Sequence, residues 1–436
     1  MSKQKQLVKD FLKRYHMDYE NIDIEENCKI FIDEMKNGLE GKPSSLQMIP
    51  TYITVDREIP LEEPIIVLDA GGTNFRVATC YFDREKKPII ENYKSYRMPG
   101  TYGEISKKEF FETMANYIKP VLQYSRKIGF CFSYPTEVLP NKDGRLLQFS
   151  KEVRVKDLIG EVIGENLLKT LNDMGLDGNK DIVILNDTVA TLLGGKAKYP
   201  DRIFSSYIGF ILGTGTNTCY IEQNSNIKKA KDLMGKSGFT IINVESGGYS
   251  KAPRGLIDEE YDLQTVNPGE YTFEKMLSGK YQGGLMATAI KKAVEEGLFS
   301  EVFSKKFDKI SELTAKDIND FLYYPYSKSI LSTCCSKESD DAILLYHLID
   351  CIIERAAKLV AINLSAILLK IGEGINPCKP VCITAEGSTF YKSKLFKDKL
   401  DYYIKDYLND KKDFYCEFVQ AENATLIGAA IAGLLN

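Results

Sequence analysis

The groups in this 436-residue chain best placed for chemistry are carboxylates, amides and glycine turns. The apolar run IVIL ends in Asn186-Asp187-Thr188. An acidic group at the tip of a buried strand is where catalytic side chains commonly sit. The alternative for Asp187 is to cap the following segment TVATLLGG, since Asp is a good N-cap. Asp69 stands directly before the turn Gly71-Gly72-Thr73-Asn74, where a carboxylate could face Mg²⁺ carried on phosphates.

Two stretches, LDAGGTNFRVAT (68–79) and ILGTGTNTCYIE (211–222), place glycine, threonine and asparagine where a strand must reverse. Glycine lets the backbone approach a ligand closely, and the N–H groups of such turns form anion-binding concavities. Either turn alone reads equally well as a plain hairpin; the pair points to phosphate. MGKSG at 234–238 is not a P-loop, because the required first glycine is Ala230. GTGTNT is not a dinucleotide fingerprint, because its sixth position is Thr218.

Further polar groups fall at strand ends and turns: Ser133, Ser150-Lys151, Asn217, Asn243, Glu245 and Glu274. Together they suit a polyhydroxylated substrate, whose hydroxyls donate and accept. Taken singly, each reads as a turn or cap residue, and Glu274 as part of a solvated helix face. The two histidines, His16 and His347, each fall in an expected helix away from any polar cluster, which removes Ser/His/Asp hydrolysis and HExxH zinc chemistry. A formal net charge of −4 without a basic run argues against nucleic acid as a partner. The ten cysteines show no CxxC pair or Cys/His metal spacing and read as reduced thiols. LVAINLSAILLKIG (359–372) carries Asn363, Ser365 and Lys370 at helical spacing, which reads as a core helix and not a membrane span. The charged amphipathic start has no signal-peptide apolar region, so a soluble cytoplasmic protein is expected.

The elements that must position these groups follow from periodicity. Residues 3–14 and 25–39 have helical spacing, and a domain begins after Pro60–Pro64 with strand, tight turn, strand. KIGFCFSYP (127–135) and DIVILNDT (181–188) read as buried strands, separated by helical spacing over 156–173. The order then restarts with SSYIGFILGTGTNTCYIE, FTIINVES (239–246), a largely helical stretch over 256–371, the strand KPVCITAEGS (379–388) and the final helix ATLIGAAIAGLL. The expected fold is therefore α/β, with two sheets of similar design, one beside each glycine turn.

Read in order, MIPTYITV (48–55), LDAGGTNFRV (68–77), FCFSYP (130–135), QFSKEV (148–153), LNDTVATL (185–192), GTGTNTCYIE (213–222), INVESGGY (242–249), NPGEYTFEKMLSGKY (267–281) and ITAEGSTFY (383–391) carry a resemblance over almost the whole chain. The sequence resembles the eukaryotic-type hexokinases and glucokinases, as a single unit. The resemblance implies an actin-like ATPase fold, two ribonuclease-H-like domains around a central cleft. The small domain would be 63–185 plus 424–436 and the large domain 1–62 plus 186–423. It also implies an ATP- and Mg²⁺-dependent kinase of glycolysis acting on glucose and related hexoses, working as a monomer or homodimer, with no membrane or nucleic-acid partner. Ser133, Ser150, Lys151, Asn186, Asp187, Asn217, Glu245 and Glu274 would lie on the sugar. Asp69, Gly71, Gly72, Thr73, Asn74, Thr214, Lys280, Gly387 and Ser388 would lie around ATP, with Asp69 reaching the metal through water.

In that chemistry Asp187 would accept the proton of the sugar 6-hydroxyl and Lys151 would offset charge on the transferring group. The chain departs from the family pattern at named places. It has no Trp; Glu152 and Ser246 fall in motifs that usually carry one; Tyr271 stands where a sugar-contacting Gln is common; Glu386 replaces Asp; and NATLIG replaces a glycine-rich segment before the last helix. These departures keep two other readings open: a catalytically weak sugar sensor on the same scaffold, and a kinase for another sugar.

Overall fold

The computed structural model describes residues 2–55, 57–149 and 153–436. Its frame is two sheets built to one plan. In the first, the strands Ile65–Ala70, Asn74–Phe82 and Pro88–Arg97 form an antiparallel meander, and Lys127–Phe132 and Asp181–Leu185 add in parallel on the other side of Ile65–Ala70. In the second, Ser206–Leu212, Thr216–Gln223 and Phe239–Asn243 form the meander. Val381–Glu386 and Cys416–Val419 add in parallel beside Ser206–Leu212. A short strand, Ile49–Pro50, extends the second sheet at its meander edge. The shared strand order is that of a duplicated ribonuclease-H-like unit. Each sheet is the centre of one lobe.

Helices fill three layers around the sheets. Lys107–Ile118 and Ile163–Asp173 cover the outer face of the first sheet through Phe110, Phe111, Met114, Ile163 and Leu167. The outer face of the second sheet packs on the large apolar cluster that includes Ile24–Glu40 and the 31-residue helix Asp341–Ile371. That helix is buried along most of its length in protein, and no helix among the described residues is long and apolar enough to cross a membrane.

Between the sheets lie Asp187–Lys198 and Ala424–Leu435. They cross at backbone distance because small residues meet there: a Cβ on Gly428 would collide with the Ala190 carbonyl oxygen, and one on Gly194 would stand 2.6 Å from that of Ala424. This close crossing explains why the last helix is nearly all Ala, Gly, Ile and Leu. It also seats the first turn of Asp187–Lys198 against the last helix.

Two expectations are corrected. Helical spacing over 156–173 begins as a helix only at Ile163, because Val155–Lys156 pairs as a strand and the left-handed Asp157 and Gly160 turn the chain. Leu158 nevertheless joins Ile163 and Leu167 in one core cluster, so the apolar period reported burial before it reported helix. His16 lies two residues past the helix Lys3–Arg14, in a turn with φ +54°. His347 is in the long helix as expected, with its imidazole held below its ordinary pKa by burial. All ten cysteines are free thiols.

Candidate active site

In both sheets the polar groups gather at the carboxyl ends of the parallel strands, where open α/β sheets bind ligands. Ile65–Ala70 ends at Asp69 and the first glycine turn, Lys127–Phe132 runs into Ser133, and Asp181–Leu185 runs into Asn186 and Asp187. Ser206–Leu212 ends at Gly213, and Val381–Glu386 at Gly387.

The two glycine turns are not copies. In the first, Gly71 N–H donates to the Asn74 carbonyl at 3.0 Å, leaving Gly72 and Thr73 at the tip. In the second, Gly213 N–H donates to the Gly215 carbonyl at 2.9 Å, leaving Thr214 alone at the tip. Asn74 is consequently exposed beside its tip and bonds to Thr73 Oγ1, whereas Asn217 falls opposite Ile211, one position into the strand. Its Nδ2 donates to Asn243 Oδ1 at 2.8 Å and to Glu245 Oε1 at 3.2 Å. Asn243 Nδ2 donates to the same Glu245 oxygen at 2.7 Å.

The carboxylates act on one another across the two sheets. Asn186 is the N-cap of Asp187–Lys198, its Oδ1 accepting from Thr188 N–H at 2.8 Å, and Asp187 is the first helical residue. Asp187 Oδ1 accepts from the same N–H at 2.8 Å. The charge of Asp187 acts on both Asp69 and Glu245. Burial is the main cause that lifts the Asp69 carboxyl above its ordinary pKa, against Arg76 and the Thr425 hydroxyl, which hold it down. Burial likewise pushes Glu245 up to about 7, opposed by Asn243 and Asn217 and reinforced by Asp187 and Glu274. Glu274 is half-buried, not on a solvated face, and burial raises its carboxyl against the Thr216 N–H, Lys280 and Lys275. Its Oε2 accepts from Thr216 N–H at 2.9 Å.

Around the second turn, Gly279 N–H donates to the Gly213 carbonyl at 2.8 Å and Lys280 N–H to the Thr214 carbonyl at 3.2 Å. Thr389 Oγ1 also reaches the Gly213 carbonyl, at 2.8 Å. Gly387, at φ +118°, lies against Leu212 so closely that a Cβ would strike its carbonyl oxygen. Thr214, Lys280 and Ser388 are exposed here. The expected phosphate-side residues thus form two groups, one at each turn. Ser133 is half-buried, its N–H bonded to the Ala70 carbonyl at 3.1 Å, beside the first turn. Ser150 and Lys151 lie outside the described residues.

Models of the hexokinase family match residues 7–197 and 207–435. The chain belongs to the hexokinase family. This hexokinase is 29% identical over 433 residues to Hexokinase-5 of Oryza sativa subsp. japonica, covering 92% of this chain and 84% of the relative. It is 29% identical over 390 residues to Glucokinase-1 of Kluyveromyces lactis, covering 80% and 81%. A hexokinase from Schistosoma mansoni, solved in complex with glucose, superposes with a TM-score of 0.77 at 23% identity over 99% of this chain and 100% of that one. The architecture is therefore the two-domain actin-like ATPase fold.

Several groups in this hexokinase's site escaped sequence reasoning. Arg76 Nη1 donates to Asp69 Oδ2 at 3.1 Å, and Thr425 Oγ1 to the same oxygen at 2.9 Å. Arg76 was within reach of a hairpin argument, since it pairs directly with Asp69 across the antiparallel strands; Thr425 carried no local signal. Gln148, whose Nε2 donates to Tyr271 Oη at 3.3 Å, was a third omission. Three side-chain-bearing residues here, Glu245, Tyr271 and Asn423, sit in left-handed backbone, a strain that concentrates at functional sites.

The residues present fit ATP with Mg²⁺. The described residues hold no group of three or more His, Cys, Asp or Glu able to cage a metal. A cation here would be carried mainly by phosphates, with Asp69 as the protein partner, which is how Mg²⁺ is commonly held. The carboxylates of Asp69 and Asp187 repel each other, and a cation bound nearby would relieve that repulsion.

Proposed function

We propose that this hexokinase transfers the γ-phosphoryl group of ATP to the 6-hydroxyl of glucose and related hexoses, with Asp187 as general base. The observation that carries the reading is the cluster of Asn217, Asn243 and Glu245 beside Glu274, with Asp187 at the first turn of its helix acting electrostatically on both Glu245 and Asp69.

In this reading Glu245, Asn217, Ser133, Glu274 and Asn186 hold the sugar hydroxyls, and Asp187 at the first turn of its helix receives the 6-hydroxyl proton. General-base assistance of this kind contributes on the order of 10² to 10⁴ in rate. Gly71 to Asn74, Thr214, Lys280, Gly387 and Ser388 bracket the nucleotide phosphates and base. Mg²⁺ bound with ATP would neutralise charge on the transferring phosphoryl group, and Asp69, held by Arg76 and Thr425, is the residue that would serve it. Lys151 and Ser150 keep the roles implied by resemblance, on the transferring group and the sugar. Residues 63–185 with 424–436 would move against the rest of the chain as the cleft closes, excluding water from the reaction. Free thiols throughout the chain fit a reducing compartment, in support of a cytoplasmic placement.

The deciding experiment is ATP-dependent phosphorylation of glucose, mannose, fructose and N-acetylglucosamine by the purified protein. Turnover of about one per second or more on glucose supports the kinase. Glucose-induced stabilisation without turnover would favour a sensor on the same scaffold, and turnover on another sugar alone would reassign the substrate.

A further inference from the structure

We propose that Tyr271 is a positioning residue that bridges the two lobes over the sugar pocket through its hydrogen bond to Gln148. The inference rests on the hexokinase reading of the site above.

The bridge spans two separate packing units. Gln148 follows the strand Gly144–Leu146 of the small lobe, and its neighbour Phe149 is seated against Phe110 and Tyr134 of that lobe's core. Tyr271 precedes the helix Thr272–Leu277 of the large lobe. Gln148 Nε2 donates to Tyr271 Oη at 3.3 Å. A contact across the cleft, away from the helix pair that joins the lobes, holds only while the cleft is narrow, so this bond reports and favours the closed arrangement.

The large lobe holds Tyr271 rigidly for this contact. Its backbone is left-handed, φ +50°, a conformation that a bulky side chain adopts only when its surroundings impose it. The constraint is a buried polar knot on both sides. Thr272 Oγ1 donates to the Tyr249 carbonyl at 3.2 Å, and Lys275 N–H to the Tyr271 carbonyl at 3.1 Å. Lys275 Nζ donates to Asp262 Oδ1 at 2.6 Å and to the Asn267 carbonyl at 2.7 Å. Gly269 N–H and Arg254 close on the other Asp262 oxygen at 2.9 and 3.0 Å.

Tyr271 directly precedes the helix that carries Glu274, one of the residues proposed above to hold the sugar. Burial first, and then the charges of Glu245 and Glu274, raise the phenol above its ordinary pKa, so it is protonated at neutral pH. A protonated Oη can accept from Gln148 and still donate, so one atom can serve the cross-lobe bond and a ligand oxygen together. The half-buried ring forms a wall that a flexible side chain would not, and the geometry thereby ties lobe closure to the fit of the hexose.

The test uses Tyr271→Phe, which removes only the hydroxyl, Gln148→Ala, and the double variant in the full-length protein. Each single variant should raise the hexose KM about fivefold to tenfold, the loss of one hydrogen bond. The ATP KM should stay within about twofold and kcat should change less than the hexose KM. The double variant should be no worse than the more affected single one, because the two residues make one contact. Small-angle scattering of the sugar-free protein should show a larger radius of gyration for each single variant than for wild type. Additive losses, or unchanged hexose KM with unchanged scattering, would overturn the bridge. If wild type transfers no phosphoryl group, the hexokinase reading fails while scattering still decides the bridge. If wild type is active but neither variant differs from it, the bridge alone fails.

Discussion

Glu274 leaves no room for a side chain on Gly215. A Cβ on that glycine would stand 2.5 Å from Glu274 Oε2, the same oxygen that accepts from Thr216 N–H at 2.9 Å. On the other side, a Cβ on Gly247 would be 3.3 Å from it. Glycines in two separate motifs thus form the slot that orients one pocket carboxylate. Gly215→Ala should push Glu274 out of register and lower kcat/KM for the hexose by about 10- to 100-fold, as misplacements near 1 Å do. Steady-state kinetics, with thermal melting as the control for folding, checks this.

Asp187 sets the chemical step in the proposed reaction. Asp187→Asn should lower kcat on the order of 10² to 10⁴, while the Kd for glucose, read by calorimetry, changes less than about tenfold. Wild-type turnover in this variant would remove Asp187 from the mechanism.

Glu245 should make stability depend on pH in a direction opposite to that of an ordinary paired carboxylate. Its folded pKa is raised to about 7 from 4.5, so between those values the folded state binds more protons than the unfolded chain. Stability from this group is therefore full below about 4.5 and is lost as pH rises toward 7. Glu245→Gln should flatten that part of the Tm profile of the ligand-free protein. A profile of unchanged slope would reject the assignment.

Arg76 counteracts the burial of Asp69. Removing it as Arg76→Met should raise the Asp69 carboxyl further and shift the acid limb of the kcat/KM profile for ATP to higher pH. Measuring that profile from pH 5 to 8 at saturating hexose gives the answer, with the hexose KM as the comparison.

Gly428 carries the crossing of the two central helices. Gly428→Ala would force its Cβ into the Ala190 carbonyl and should cost about 1–3 kcal/mol, the usual range for overpacking. Because Ala190 follows Asp187 on the same helix, turnover should fall as well. Urea unfolding gives the first quantity and the coupled assay the second.

Much of the architecture was legible because its causes are local. Strands buried on both faces write short apolar runs, glycine marks the two reversals, and the last helix shows its close crossing as Ala and Gly. The restart of strand, turn, strand after residue 205 announced a second sheet, and the polar groups it placed at strand ends are the ones the proposed site uses. What the sequence could not show was the register at the turns. The two similar glycine steps close tips of different length, because a hairpin's tip depends on which backbone groups pair. Only that pairing separates exposed Asn74 from Asn217 in its amide-carboxylate cluster. Likewise, Thr425 reaches Asp69 across 356 positions and Tyr271 reaches Gln148 across 123. Such contacts carry no periodic signal, because they are made by two sheets packing through a shared pair of helices. The residue types and their order determined the family and the kind of chemistry. Tertiary packing decided which carboxylates face one another, how far burial raises their pKa values, and where the two lobes meet.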